Sequence, residues 1–312
     1  MTGDAKEKIV IRTPAKVNLF LGVLGKRPDG YHEILSVMQM IDLWDDVTLK
    51  RGEGLQVTCS GEGAPEGPEN LAYKAAQLMR EVSGRTEGVH LALQKGIPVA
   101  AGLGGGSSDA AAVLYGLNRL WGLGYPRPQL MEIGGRLGSD VPFFLSEGSV
   151  ALAWGRGDRI IPLTSLEEPW LVLVNPGFPV STAWAYGQVK IRVPGIPSPV
   201  PATPALKFGL TNRSVHIKIP PHPALQKRGA VLWVSPQNDL TEGVVPTYPA
   251  VARVLVNLEE NGPQATLMSG SGPTVVGVFT EEEAACAAGK AMEQQGWRSW
   301  VVRCLRKSPY TL

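Results

Sequence analysis

The amino-acid sequence predicts an α+β fold in two halves. Three observations carry that expectation. The 312-residue chain is 44% hydrophobic and 19% charged, enough apolar material for a sizeable core. Strand-like and helix-like periodicities occur in both halves, and the clearest periodic segments break near residues 155–170. The third is a dense glycine-serine loop, set between a strand pattern and a helix pattern. No internal repeat or low-complexity tract interrupts the series.

Taken in order, Ile9–Ile11 reads as a strand. Val17–Leu24 is a second apolar run, ended by the turn signal Arg27-Pro28-Asp29-Gly30. Ile34–Ile41 and Val47–Leu49 read as further strands. Asn70–Val82 is a helix, because Ala72, Ala75, Ala76 and Met79 recur on one face. Val89, Leu91 and Leu93 alternate with polar or small residues, as in a half-buried strand. Asp109–Leu120 is a helix with Val113, Leu114, Leu117 and Leu120 on one face. In the second half Trp170–Val174 is a continuous strand run, and the Pro-rich stretch 191–223 reads as an insertion or long loop. Pro246–Glu260 is a helix. Gln264–Met268, Thr274–Phe279 and Trp300–Cys304 read as strands, with a helix over Glu281–Gln294.

Composition excludes several function classes. Lys+Arg 30 against Asp+Glu 28 leaves a net charge of +2, without the footprint of a duplex-binding surface. The basic cluster Arg298–Lys307 is short and lacks an aromatic stacking array. The 3 cysteines, Cys59, Cys286 and Cys304, form neither a disulfide framework nor a C-x-x-C zinc pattern, so a reducing compartment is expected. Met1–Val10 carries Asp4, Lys6, Glu7 and Lys8 and does not read as a signal peptide. The longest uncharged apolar stretch, Trp170–Gly187, is broken by Asn175, Pro176 and Pro179, so no membrane span is expected. The expected location is the cytoplasm.

The loop itself is Pro98-Val99-Ala100-Ala101-Gly102-Leu103-Gly104-Gly105-Gly106-Ser107-Ser108. Clustered glycines let a backbone approach a ligand closely, and amides at the start of a helix attract phosphate oxygens. It is not a Walker A loop, since neither Gly-Lys pair is followed by Ser or Thr. It is not a dinucleotide fingerprint either, since the last required glycine falls on Ser107. Alone, the stretch reads as a phosphate cradle or as a ligand-free turn. A second Gly/Ser turn, Met268–Pro273, reads alone as an ordinary hairpin turn. Together the two raise the case for one phosphate-bearing ligand.

Three segments in this order, Pro14-Ala15-Lys16-Val17-Asn18-Leu19, Pro98–Ser108 and Met268–Gly272, resemble the GHMP kinase superfamily, the small-molecule kinases of galactose, homoserine, mevalonate and phosphomevalonate. Further motifs share the likeness: Asn18-Leu19-Phe20-Leu21, Arg27-Pro28-Asp29-Gly30-Tyr31-His32, and Gly138-Ser139-Asp140-Val141-Pro142-Phe143-Phe144. It is strong over roughly 8–175 and 236–280 and fades over 187–230. The resemblance implies a ribosomal-protein-S5-like domain over 1–163, a ferredoxin-like domain over 164–312, and an active site in the cleft between them. It implies ATP and Mg²⁺ as cofactors. The acceptor is expected to be a small molecule with a cytidine diphosphate group, in isoprenoid-precursor synthesis outside the mevalonate route.

Residue roles follow from the same likeness. Asp140 is the expected base and Lys16 its partner, although an Asp in a Gly-Ser-Asp turn also reads as a cap, and a lone strand lysine as a snorkelling one. Residues 98–108 are expected to hold the nucleotide, with Asn70 and Lys95 at its base or ribose. Helix capping by Asn70 and a surface role for Lys95 stay open. Tyr31 is expected to stack on the cytosine, His32 to bond its polar edge and Tyr186 to supply the second face, although the two tyrosines also read as half-buried core or surface aromatics and His32 as a surface loop histidine. Thr182 and Asn18 complete the acceptor side. Ser107 or Ser108 is the expected protein ligand of Mg²⁺, which keeps most of its waters. Another GHMP kinase, for homoserine or a mevalonate derivative, is the alternative within the class. A non-catalytic nucleotide-binding protein is the alternative outside it. Expected partners exclude nucleic acid and membrane, and the expected state is a monomer or weak homodimer.

Overall fold

The computed structural model describes residues 7–61, 63–165, 169–189, 215–218, 231–234 and 236–310. Two long strands form its backbone: β1 (Lys8–Lys26) and β2 (His32–Gly52) pair antiparallel along nearly their whole length. The fragments expected along them are therefore parts of two continuous strands. Polar residues at Lys16, Asn18, Asp45 and Asp46 interrupt the apolar pattern without ending the ladder. Register shifts fall between Pro14 and Ala15 and between Asn18 and Phe20, so bulges bracket Lys16–Asn18.

The first half of β2 pairs with β5 (Val150–Gly155), and its second half with β4 (Gly88–Gln94). β3 (Leu55–Ser60) lies parallel to β4, and β6 (Arg159–Ser165) is antiparallel to β5. Helices α1 (Leu71–Ser83), α2 (Gly105–Leu120), α3 (Arg127–Gly135) and α4 (Val141–Leu145) cover one face. Their core includes Met40, Leu49, Leu91, Val113, Leu117, Phe143 and Phe144.

The second sheet is the ferredoxin-like unit. Strand β7 (Trp170–Asn175) is followed by α5 (Thr182–Gly187), α6 (Thr241–Val244) and α7 (Pro249–Glu259). Then come β11 (Ala265–Met268), β12 (Val275–Phe279), α8 (Glu282–Gln294) and β13 (Arg298–Arg303). The strand order is β11-β12-β7-β13, with α7 and α8 packed on one face through Val251, Val254, Leu258, Ala285 and Met292. The other face meets β1 and β2, where Ala15, Val17, Leu19 and Val37 interlock with Leu171, Leu173, Val276 and Val278. That shared core sets the two sheets against each other.

The expected division at 163/164 does not separate the sheets. Strands β8 (Val215–Lys218) and β9 (Val231–Val234) extend the first sheet from β6, and β10 (Gln237–Asn238) pairs parallel with β1. Backbone pairing across the chain overrides sequence order here. Within the expected loop 191–223, residues 215–218 are thus a strand; the remainder lies outside the described residues. After β13, Cys304 bridges to Ile41 and Tyr310 joins the first core. Among the described residues, no helix is long and apolar enough to cross a membrane.

Candidate active site

The glycine loop begins α2 earlier than its apolar periodicity suggests. Gly104 takes a left-handed backbone, φ 72°, and the helix starts at Gly105 with no side-chain cap. Ser107, Ser108 and Asp109 lie inside the first turns rather than at the cap. The amide of Ser108 closes the first turn on the Gly104 carbonyl at 2.9 Å. Gly105, Gly106 and Ser107 thus head a 16-residue helix, where unpaired amides and the helix dipole favour an anion.

Strand β1 meets both glycine turns. Its Lys16 amide donates to the Leu103 carbonyl at 2.9 Å, and its Asn18 amide to the Ser269 hydroxyl at 3.4 Å. Ser269 donates in turn to the Gly102 carbonyl at 3.0 Å. Gly102 must be glycine: φ is +78° and a Cβ would stand 2.1 Å from the Ser269 carbonyl oxygen. Asn238 donates to the Met268 and Gly270 carbonyls, each at 2.7 Å, bracing the second turn.

These turns wall a cleft of about 1050 Å³ between the two sheets. Every expected site residue lines it except Leu103 and Ser108. Leu103 is buried and contributes its carbonyl to β1. The Ser108 hydroxyl is fully buried and donates to the Pro14 carbonyl at 2.5 Å, so Ser108 is corrected as a metal ligand. Ser107 remains half-buried on the cleft wall. Among the described residues no group of three or more His, Cys, Asp or Glu could hold a metal ion. The donor set fits a Mg²⁺ carried by nucleotide phosphates, with Ser107 the hydroxyl beside it.

At the centre, Lys16 Nζ lies 3.2 Å from Asp140 Oδ2. The Lys16 side chain is 5% exposed and the Asp140 side chain 32%, so the ammonium is enclosed while the carboxylate opens to the cleft. Asp140 directly precedes α4, yet its side chain makes no capping bond. Lys16 also donates to Asn18 Oδ1 at 2.5 Å, and Asn18 Nδ2 to Ser36 at 2.8 Å. Asn18 therefore aims the lysine, and its polar atoms are engaged by the protein.

At one end of the cleft, His32 stacks on Tyr186, with centroids 5.2 Å apart at 28°. Burial, and secondly the Asp140 charge, push the Tyr186 phenol up, so it stays neutral. Burial, then Lys26, holds the His32 imidazole below its ordinary value. Tyr31 is exposed, with the Arg156 guanidinium 4.9 Å over its ring. Arg156 is held by Asp158 at 2.7 Å. Thr182, at the start of α5, shares a 3.0 Å hydrogen bond with Ser271 of the second turn. Arg156 also lines the cleft and was not singled out in the sequence, where its signal is the charged turn Gly155–Asp158 between apolar runs; Ser271 belongs to the second Gly/Ser turn, which the sequence did single out.

At the other end, Asn70 is the N-cap of α1: it accepts from the Ala72 amide at 2.8 Å and donates to the Pro65 carbonyl at 2.8 Å. Lys95 is not a surface lysine. It is buried between Asp45 and Asp109, the latter at 2.6 Å. Asp45 is further satisfied by the Gly96 and Ile97 amides at 2.7 and 2.9 Å, whereas Asp109 Oδ1 has no hydrogen-bond partner. The cluster braces α2 to β2 beneath the glycine loop, so the Lys95 ammonium is committed to carboxylates.

Known proteins resemble the chain in sequence and in fold. The model of the GHMP kinases N terminal domain matches residues 70–148, and that of the GHMP kinases C terminal domain residues 223–297. A 4-diphosphocytidyl-2-C-methyl-D-erythritol kinase of Geobacter sulfurreducens is 41% identical over 301 residues, 96% of this chain and 100% of that protein. One of the same name from Syntrophus aciditrophicus is 39% identical over 297 residues, covering 95% and 98%. The crystal structure of a 4-(cytidine 5'-diphospho)-2C-methyl-D-erythritol kinase superposes with a TM-score of 0.70 at 31% identity, over 95% of this chain and 99% of that one. A homoserine kinase from Cytophaga hutchinsonii superposes with a TM-score of 0.67 at 16% identity, over 99% and 98%, a likeness of fold alone.

Proposed function

The chain belongs to the 4-diphosphocytidyl-2-C-methyl-D-erythritol kinases of the GHMP kinase family, and from that premise we propose that it transfers the γ-phosphoryl group of ATP to the 2-hydroxyl of that acceptor. The product would be the 2-phosphate, with ADP released, in isoprenoid-precursor synthesis outside the mevalonate route. The observation that carries the reading is the Lys16–Asp140 pair, enclosed on one side and open on the other, between a phosphate-type loop and an aromatic end.

Phosphoryl transfer needs positioning and charge stabilisation more than covalent chemistry. In this reading the acceptor hydroxyl lies against Asp140, which takes its proton as the oxygen bonds to the γ-phosphorus and the bond to the β-phosphate oxygen breaks. Lys16 holds the carboxylate in place and offsets charge on the transferring group. Amides of Gly105–Ser107 receive the phosphates. Mg²⁺, when bound, would neutralise phosphate charge, with Ser107 its protein-side hydroxyl.

Tyr31 and Tyr186 offer ring faces for the cytosine, and His32 a polar edge. Lys95 and Asn70 support the nucleotide end indirectly, through the buried cluster and the α1 cap. A cytidine platform distinguishes this acceptor from homoserine and mevalonate, which carry no base to stack. The test is a phosphoryl-transfer assay with ATP, Mg²⁺ and a panel of acceptors: the cytidine diphosphate acceptor, its cytidine-free fragment, homoserine and mevalonate. Turnover of the first alone is expected; preference for homoserine or mevalonate would overturn the assignment.

A further inference from the structure

We propose that Tyr310, carried by the segment after β13, is a positioning residue for the nucleotide loop, because its hydroxyl completes a buried network joining β1 to the first turn of α2. The segment leaves the second sheet and returns to the first. The Leu305 amide donates to the Met40 carbonyl at 2.9 Å, and Gln39 Nε2 to the Leu305 carbonyl at 3.0 Å. Arg127 donates to the Tyr310 carbonyl at 3.1 Å. The ring is buried and stacks on Tyr115 of α2, with centroids 5.0 Å apart at 24°.

Counting protons orients the network. Thr13 donates its single hydroxyl proton to Ser108, whose Oγ and carbonyl oxygen lie 2.5 and 3.0 Å from Thr13 Oγ1. Ser108 donates its own to the Pro14 carbonyl at 2.5 Å. The remaining proton is that of the Tyr310 phenol, which contacts Thr13 Oγ1 and so donates to it. Burial keeps that phenol neutral. All three groups are shut from water, so each lost bond leaves an uncompensated polar atom.

The network sits where two functional elements meet. Ser108 closes the turn that begins at Gly104 and carries Gly105–Ser107. Thr13 and Pro14 lead into the bulge before Lys16. A movement of Thr13 would therefore reach the phosphate-binding amides and the reacting lysine together. Nothing in the network touches the cleft wall itself, so its action on the ligand is indirect.

The inference rests on the ATP-binding reading, and its test reads ATP affinity without acceptor. An enzyme that passed this test yet phosphorylated a different acceptor would overturn the acceptor assignment and support the network. The proteins are wild type, Tyr310→Phe, Thr13→Val, Thr13→Ser and the Tyr310→Phe/Thr13→Val double variant, titrated with ATP and Mg²⁺ by calorimetry alongside their melting temperatures. Tyr310→Phe keeps the ring on Tyr115 and should weaken ATP about three- to tenfold, the weight of one net hydrogen bond. Thr13→Ser should match wild type, and the double variant should be no weaker than Thr13→Val alone. Unchanged ATP affinity in Tyr310→Phe, or a lowered melting temperature without loss of affinity, would reduce Tyr310 to a packing residue. Additive losses in the double variant would overturn the shared network.

Discussion

The stem of Lys16 runs directly beneath Gly104: a Cβ at that glycine would stand 2.9 Å from Lys16 Cγ and 3.1 Å from Phe144 Cζ. The glycine loop and Lys16 are thus one packing unit, and the glycine at 104 makes room for the lysine as well as for a left-handed turn. Gly106 differs. No atom lies within 4 Å of a Cβ placed there, and its φ is not positive.

These two glycines should therefore separate folding, chemistry and binding. Gly104→Ala forces a left-handed alanine, at about 1–2 kcal/mol, and displaces Lys16, so both the melting temperature and kcat should fall. Gly106→Ala gains helix propensity at a helix start and should melt no lower than wild type. Gly106 lines the cleft, so with an added methyl group ATP should bind about tenfold or more weakly, a loss of ~1.4 kcal/mol. Near-normal ATP affinity in folded Gly106→Ala would remove the phosphates from this turn.

Tyr31 gives the acceptor end its own test. The ring is exposed and has Arg156 at 4.9 Å, so its truncation removes little core packing. Tyr31→Ala should raise the acceptor KM by the equivalent of about 1–3 kcal/mol, the contribution of one base-stacking aromatic. ATP affinity should not change. Arg156→Ala should move acceptor KM in the same direction, since it frees the ring. Steady-state kinetics with each substrate varied in turn checks both; an unchanged acceptor KM in Tyr31→Ala would exclude the stacking platform.

What could be read in the sequence was what local chemistry forces. A loop that must turn left-handed in close quarters, as at Gly102 and Gly104, leaves clustered glycines, and a charged residue inside an apolar strand, as at Lys16, leaves a visible break in pattern. The same breaks hid the continuity of β1 and β2, because ladder bonds hold them together where hydrophobicity does not. Partners far apart in the chain were not legible. Asp45 and Lys95 are 50 residues apart, and Thr13 and Tyr310 are 297 apart. No local rule pairs either. The family resemblance placed His32 and Tyr186 at one ligand, but their direct stacking was not legible, since it depends on α5 of the second unit reaching the start of β2.

The buried Asp45–Lys95–Asp109 cluster makes stability depend on pH in an unusual sense for a carboxyl group. Burial pushes the Asp109 carboxyl up to about 7, with Lys95 opposing and Asp45 adding to the rise. The folded chain thus holds a proton that the unfolded chain, with an ordinary value near ~3.9, releases earlier. That stabilising contribution is complete below about pH 4 and is lost as pH rises through about 7. Asp109→Asn imitates the protonated form at every pH and can still accept from Lys95. Its melting temperature relative to wild type should climb between pH 5 and pH 8, by at least about 2 °C. Calorimetric scans across that range check it, and a gap independent of pH would show that Asp109 is charged throughout.

Lys16 and Asp140 should behave as a single unit in the chemical step. Their 3.2 Å contact joins an enclosed ammonium to a carboxylate that faces the cleft, and Asn18 holds the lysine from the other side. Asp140→Asn preserves shape and removes the proton acceptor, so kcat should fall about 10²–10⁴-fold, the usual weight of a general base. ATP affinity should persist, because the loop amides are untouched. Lys16→Ala should also lower kcat, with an added loss of order because Asn18 Oδ1 and Asp140 lose their shared donor. The double variant should be little worse than the poorer single, since groups that act together do not contribute independently. Single-turnover phosphoryl transfer by the two singles and the double separates this step from binding and release. Strictly multiplicative losses would mean the two act apart. An Asp140→Asn enzyme within about tenfold of wild type, below the general-base range, would leave the loop amides and Mg²⁺ as the source of rate, with Asp140 serving only to hold Lys16.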